Sequence, residues 1–390
     1  MSSAELYLER ARRFAQEVVA PVAAELDRRP DPVDCFSWEV VEQGSRLGLR
    51  TLTLAPEHGG AGLDLPQLAR VVFELAKVDV GIAALFAQTN MLWRVIAGAA
   101  TEEQRGRWLP RFRDDPRCLL ALAVTEPEVG SDHVIPWSGP DPPRLATRAT
   151  PEGGGWCLEG RKLFVDNGNR AGIYLVMAQT DPDTGLDRGT TCFVIEAGTP
   201  GLRPGRVFDK AGERLANHSE VLLEGCRVSE GAVLGAVNRG FEVLERHFRG
   251  RATLAGCCAL GVAEAAYART LAWCRERVQG GRPLIEHDLV GVELAEMRMQ
   301  LTAAWDHLLA TAARIAAGSA GLAEDGLAKV HAAQVGYQVV TRALDLHGGR
   351  GYLRDAGVEK WWRDVAAFFH SDGANRALLI RAARAIRARS

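Results

Sequence analysis

Along the first third of the chain, apolar side chains return every three or four positions. Leu8, Ala11, Phe14, Val18, Val22 and Leu26 set the rhythm, and that period predicts amphipathic helices from about residue 3 to 115. Ser2-x-x-Glu5 reads as a capping box for the first of them, and Pro21 predicts a kink or break inside the run. A polar, glycine-rich stretch, Pro56 to Asp64, interrupts the zone before helices resume near Pro66. From about 117 to 236 the texture changes to short apolar runs bounded by Gly, Pro and Asp. Leu119–Val124, Trp156–Leu158, Ile173–Ala178, Cys192–Glu196 and Glu220–Val228 read as strands, which predicts a β-sandwich or barrel. Four prolines between 136 and 143 mark an irregular loop. Beyond 237 the helical period returns, rich in Ala, Leu and Arg, with glycine pairs at 280–281 and 348–349 as breaks. The expected fold is α+β and mainly α. It comprises an N-terminal helical domain (1–116), a middle β domain (117–236) and a C-terminal four-helix bundle (237–390).

Composition narrows the function classes. The 390 residues carry 47 Lys+Arg against 49 Asp+Glu, a net charge of −2, which excludes a polyanion binder driven by bulk charge. Hydrophobic residues make up 47%, too many for a disordered chain. The closing helix, Arg376 to Arg389, sets Leu379, Ala382, Ala383 and Ile386 on one face and five arginines elsewhere. At this net charge it reads as a solvated arginine face, not a membrane or nucleic-acid contact. Apolar runs such as Ile82–Ala87 fall short of the ~20 residues of a membrane span. The N-terminus lacks the layout of a signal peptide, so a soluble, cytoplasmic protein is expected. The eight cysteines form no C-x-x-C pair and have no histidine partner at zinc spacing. They read as reduced core thiols, and no metal is expected.

The most informative segment is Thr125-Glu-Pro-Glu-Val-Gly-Ser-Asp132, directly after a predicted strand. Such a turn offers backbone N–H groups and hydroxyls to the carbonyls or phosphate of a cofactor. An ordinary strand-end turn fits the residues equally well.

The segment resembles the T-E-P-x-A-G-S-D signature of the acyl-CoA dehydrogenase family, with Val129 in place of alanine. Other pieces follow in the family's order across nearly the whole chain. They are Phe14 to Pro21, the Pro56–Asp64 loop, Gly160-Arg-Lys-Leu-Phe-Val-Asp-Asn-Gly168 and Arg227 to Gly235. Glu276-Arg277 with Arg282-Pro-Leu, Leu346-His-Gly-Gly-Arg-Gly-Tyr352 and Arg363-Asp364 complete the series. The resemblance implies FAD, a helix–β–helix architecture and a homodimer or homotetramer. It places Leu122, Val124, Thr125 and Ser131 along the flavin and its phosphates, and Phe164, Val165 and Asp166 near the ring. Arg277, Asp345, Gly348 and Gly349 fall at the pyrophosphate of a neighbouring subunit, and Ala374 also at the cofactor. Ser131, Arg251 and Gly373 fall at the substrate. His347 and His370 flank the region and receive no role.

Several positions depart from that pattern. The family's catalytic base is a glutamate in Tyr-Glu-Gly-Thr; here the position holds Asp372, followed by Gly373 and Ala374. Removing a proton α to a carbonyl needs a placed carboxylate, and aspartate is one methylene shorter. An N-cap for the last helix is the structural alternative for Asp372. Asp166 stands where a threonine hydroxyl would bond flavin N5, and an ionised carboxylate there would repel negative charge on the reduced ring. Asp345 and Asp288 replace glutamines, and Gly280 replaces an aromatic at the adenine end. Asp372-Gly-Ala-Asn375 is similar to the D-G-G-N of the nitroalkane-oxidase branch, whose accompanying arginine is replaced by Leu379.

The resulting expectation is an FAD enzyme that dehydrogenates an acyl thioester of coenzyme A or an acyl carrier protein. Asp372 would take the α proton, flavin N5 the hydride, and an electron-transfer flavoprotein the electrons. An oxygen-using oxidase or monooxygenase is the first alternative. A catalytically idle scaffold subunit is the second.

Overall fold

A computed structural model describes residues 2–137 and 139–389, with the Arg389 side chain left aside. Met1, Ser138 of the proline-rich loop and Ser390 lie outside the described residues.

The N-terminal helices are α1 (Ser3–Phe14), α2 (Ala20–Asp27), α3 (Trp38–Arg46), α4 (Leu65–Ala76), α5 (Val80–Ala99) and α6 (Glu102–Asp114). The expected capping box is present at Ser2, where Glu5 N–H donates to Ser2 Oγ and Ser2 N–H to the Glu5 carboxylate. Pro21 neither breaks nor sharply ends the run. Instead Ala15–Val19 forms a π-turn between α1 and α2, with the Ala20 N–H reaching back five residues to Ala15 O. One extra residue in the turn accommodates a ring that cannot donate. α5, 20 residues long, is by length and composition apolar enough to cross a membrane, against the expectation from short runs, but most of it is buried inside the protein. Gln88, Thr89, Asn90 and Arg94 interrupt its apolar residues, so short-run counting misses its length. Arg50, almost fully buried, satisfies the end of α6 by donating to the carbonyls of Phe112, Arg113 and Cys118.

The middle strands are β1 (Leu119–Ala123), β2 (Arg148–Glu152), β3 (Gly155–Asp166), β4 (Ala171–Gln179), β5 (Thr190–Glu196), β6 (Leu202–Val207), β7 (His218–Ser229) and β8 (Val233–Leu234), with one helical turn, α7 (Leu186–Gly189). They form one ladder in the order β6-β7-β3-β2-β4-β5-β8, with β1 parallel to β4. β2 and β4 share a single residue pair, Arg148 and Gln179. Side chains from both halves, such as Leu158, Val165, Val221, Tyr174, Val176 and Phe193, bury in one core, as sandwich-like packing requires.

The C-terminal part holds α8 (Gly240–His247), α9 (Arg251–Glu276), α10 (Asp288–Ala316), α11 (Leu322–Leu346), α12 (Val358–Ala366) and α13 (Asn375–Arg389). A two-stranded hairpin, β9 (Val278–Gln279) and β10 (Arg282–Pro283), turns on Gly280 and Gly281, both at positive φ. α9, α10 and α11 pack along one another, and α13 docks on α11. The buried apolar residues of α13 are Ala377, Leu378 and Ala382, whereas Ile386 is 67% exposed. The expected face was therefore rotated, because α13 turns toward Val330 on α11 and Val134 of the β domain. A single large core joins the helices of both ends to β1, β4 and β5, including Phe86, Trp93, Ile173, Met177, Leu254 and Leu308.

Seven cysteines are buried and Cys157 is half-buried; the described cysteines are all free thiols. Among the described residues no His/Cys/Asp/Glu group has metal-site geometry.

Candidate functional site

The Thr125–Asp132 segment is fixed from below by its glutamate. Glu126 is buried and accepts from the amides of Ala146 (2.5 Å) and Thr147 (3.0 Å). It also pairs at 2.6 Å with the fully buried Lys162, whose amine donates to Val124 O at 3.1 Å. Burial pulls the Lys162 amine down to about 8, and the Glu126 carboxylate opposes that fall. The segment then enters a short 3-10 turn, Ser131–Val134, where the Ala374 amide donates to Ser131 Oγ at 2.9 Å. The β-domain turn thus meets the segment before α13. Beside it, His133 Nδ1 lies 2.8 Å from Gly130 O and the ring stacks on Phe241. Burial, with the Arg251 charge adding, lowers this imidazole to about 4, so it is neutral at physiological pH.

β3 forms the next wall. Its register against β7 slips between Lys162 and Val165, and Phe164 sits at φ 52. A bulge of this kind re-aims a side chain; Phe164 is 57% exposed, with Phe208 4.8 Å away. Val165 points the other way, into the β core. Asp166 lies directly opposite His218 on β7, and its Oδ1 is 2.5 Å from His218 Nε2. Glu213 Oε2 is 3.9 Å from the same nitrogen and 3.5 Å from Lys210 Nζ. For Asp166 burial is the largest influence and pushes upward, but His218 outweighs it and holds the carboxyl below its ordinary value. Glu213 is raised, because burial exceeds the help of Lys210 and His218.

Asp372 comes from the C-terminal part. It sits at φ 55 and Gly373 at φ 92, a left-handed pair that aspartate tolerates at a cost of about 1 kcal/mol. Its carboxylate is ion-paired with Arg251 Nη1 and does not cap α13. Arg251 opens α9 and is positioned by Asp325 on α11, which accepts from Gly250 N–H (2.9 Å), Thr253 N–H (2.8 Å) and Thr253 Oγ (2.7 Å). Gly250 needs its φ of 92, and a Cβ there would lie 2.3 Å from Leu65. Behind Asp372, the buried Lys329 donates to Gly373 O and Asn375 Oδ1, both at 2.8 Å. Burial brings this amine down to about 7, against the pull of Asp372.

These walls enclose a cavity of about 580 Å³. Of the residues expected at the site, Leu122, Val124, Thr125, Ser131, Phe164, Asp166, Arg251, Asp372 and Gly373 border it, and so does His370. Val165 and Ala374 do not, although the Ala374 amide is held by Ser131. His133, Lys210, Glu213 and His218 also border it and were missed in the sequence. For Lys210, Glu213 and His218 the only signal was a run of polar residues just ahead of the apolar strand at 221; His133 directly follows the Gly130-Ser-Asp132 motif. Ala87, Met91, Phe248, Leu254 and Cys258 form an apolar part.

Arg277, Asp345, Gly348 and Gly349 lie elsewhere, where α9 and α11 end. Trp273 is the centre of that place. His347 stacks on it at 5.3 Å, the Arg277 and Arg350 guanidiniums lie 5.9 and 5.8 Å from its ring, and its Nε1 donates to Leu346 O. His347 Nε2 is buried without a partner. A Cβ on Gly348 or Gly349 would meet nothing within 4 Å, so the surface there is open.

The residues fit a flavin. An exposed aromatic face, the Thr125 and Ser131 hydroxyls and free space meet at the cavity. A second, cationic and aromatic platform of Arg277, Arg350 and Trp273 suits a phosphate or base elsewhere.

Comparison with known proteins agrees. Family profiles for the acyl-CoA dehydrogenase N-terminal, middle and C-terminal domains match residues 2–114, 121–226 and 238–387. A cyclohex-1-ene-1-carbonyl-CoA dehydrogenase of Geobacter metallireducens is 32% identical over 371 residues, 93% of this chain and 92% of that protein. The solved butyryl-CoA dehydrogenase of Megasphaera elsdenii superposes with a TM-score of 0.91 at 29% identity, covering 99% of this chain and 98% of that one. A solved prolyl acyl carrier protein oxidase superposes with a TM-score of 0.88 at 25% identity, covering 99% of each chain. The chain belongs to the acyl-CoA dehydrogenase family and is an FAD-dependent oxidoreductase.

Proposed function

We propose that this chain performs α,β-dehydrogenation of an acyl thioester, carried by coenzyme A or an acyl carrier protein, with Asp372 as the α-proton base. The observation that supports this most is that the Asp372 carboxylate opens on the same cavity as Thr125, Ser131 and Phe164. FAD, when bound, supplies the acceptor for the hydride equivalent. Asp372 takes the proton at its carboxylate oxygen. Arg251 orients that oxygen until the thioester enters. Lys329 and Ser131 hold the flanking backbone at Gly373 and Ala374, so the carboxylate does not drift. The apolar part of the cavity excludes water from the acyl group. Arg277, Asp345, Gly348 and Gly349 would meet the cofactor of a second subunit in a cytoplasmic homodimer or homotetramer. An electron-transfer flavoprotein would take the electrons.

Oxygen chemistry is the second reading, favoured by the charged cluster of Asp166, His218, Glu213 and Lys210 and by the likeness to a prolyl acyl carrier protein oxidase. The test is anaerobic addition of a panel of acyl thioesters to the yellow protein, followed by air. Bleaching by a thioester with slow reoxidation supports the dehydrogenase. Bleaching with rapid reoxidation supports the oxidase, and no bleaching by any thioester rejects the dehydrogenase for the compounds tried.

A further inference from the structure

Asp166 presents a difficulty. A carboxylate in the cavity wall, next to the exposed Phe164, would oppose the negative charge that a flavin gains on reduction. The structure supplies an answer on the facing strand. Asp166 and His218 are cross-strand partners on β3 and β7, 2.5 Å apart, and both border the cavity. Oppositely charged neighbours at such a position reinforce the ladder, and a protonated His218 cancels the carboxylate's charge toward the cavity.

We propose that Asp166 and His218 act as one proton-bearing couple, neutral as a pair, that sets how readily the bound FAD is reduced. The inference rests on the reading that FAD lies against Phe164 and Asp166. The couple is embedded in further charge. Glu213, from the segment before β7, faces His218, and Lys210 pairs with Glu213 and acts on Asp166. Arg251 at the start of α9 acts on Asp166, and Asp372, before α13, acts on Glu213. Removing the imidazole therefore leaves the Asp166 carboxylate uncompensated toward the cavity, and the flavin becomes harder to reduce. Asp372 handles the substrate's proton; the couple handles the charge of the cofactor.

The experiment is a spectroscopic redox titration of the holoenzyme and its variants at one neutral pH, together with FAD binding by fluorescence. His218→Gln should disfavour reduced FAD at least tenfold, about 30 mV for a two-electron couple. Asp166→Thr added to it should restore most of that loss, because the bare carboxylate is then gone. Phe164→Ala is the control for location and should shift the flavin spectrum. An unchanged potential in His218→Gln, with a shifted spectrum in Phe164→Ala, overturns the couple and leaves the location standing. No response in any variant overturns the location and the couple with it. Should the variants fail to fold, the His218 ring resonance of the unsubstituted holoenzyme gives the answer. It should move when the flavin is reduced with dithionite, and a fixed resonance overturns the proposal.

Discussion

Replacing Asp372 with Asn removes the proposed base while disturbing little else. Asparagine is among the few residues that accept a left-handed backbone, so the φ of 55 at this position is kept. Lys329 and Ser131 hold Gly373 and Ala374 through a carbonyl oxygen and an amide hydrogen, neither of which the substitution touches. The Arg251 ion pair becomes a hydrogen bond from the guanidinium to an amide oxygen in a half-buried setting, a loss of about 1 kcal/mol or less. The chemistry suffers far more. Removing a positioned general base costs about 10² to 10⁴ in rate, or about 3 to 5 kcal/mol at 1.36 kcal/mol per tenfold. The assay is anaerobic stopped-flow bleaching of the flavin by the best thioester, with protiated and α-deuterated forms. Reduction in the variant should slow at least a hundredfold while the unfolding midpoint barely moves. A rate within about tenfold of the parent, with an unaltered α-deuterium isotope effect, would sink the assignment of Asp372.

Two further outcomes follow from buried charges. Lys162→Met strands the Glu126 carboxylate among its two amides and should cost about 3–5 kcal/mol in urea unfolding. Adding Glu126→Gln should recover part of it, and a single-variant loss below about 1 kcal/mol contradicts the pairing. For Lys329 the folded amine titrates at about 7 and the unfolded one at about 10.4. Between those values the unfolded chain binds more protons, so this lysine's contribution to stability rises with pH. Unfolding midpoints of the parent should therefore gain on those of Lys329→Met as pH climbs through that window. Parallel curves would show that the amine is not held neutral.

Legibility in the sequence followed how local the cause was. The nine residues of β4 are buried throughout, and their unbroken apolar run announced a strand. β2 (Arg-Ala-Thr-Pro-Glu) and β6 (Leu-Arg-Pro-Gly-Arg-Val) expose most of their residues and carry proline, so nothing apolar marks them. β6 ends the ladder, where proline is tolerated. The Thr125–Asp132 turn and Asp372 could be found because motif and spacing are short-range. That Asp372 meets Arg251, 121 residues away, depends on how α9 and α13 each pack on α11. Asp166 and His218 face one another only because a bulge at Leu163–Phe164 resets the β3–β7 register, and no linear pattern carries that shift.

The single ladder pair between β2 and β4 divides the sheet into unequal dependants. One half, with β1, β4 and β5, shares its apolar residues with the helical core; the other, with β2 and β6, shows its outer side to solvent. Opening free energies follow such contacts, and contiguous segments open together. Amide exchange should therefore strip β6 and β2 early, while β4 and β5 exchange only when the whole molecule unfolds. The sheet that looks continuous in its connectivity is, in its fluctuations, a fixed page and a loose one.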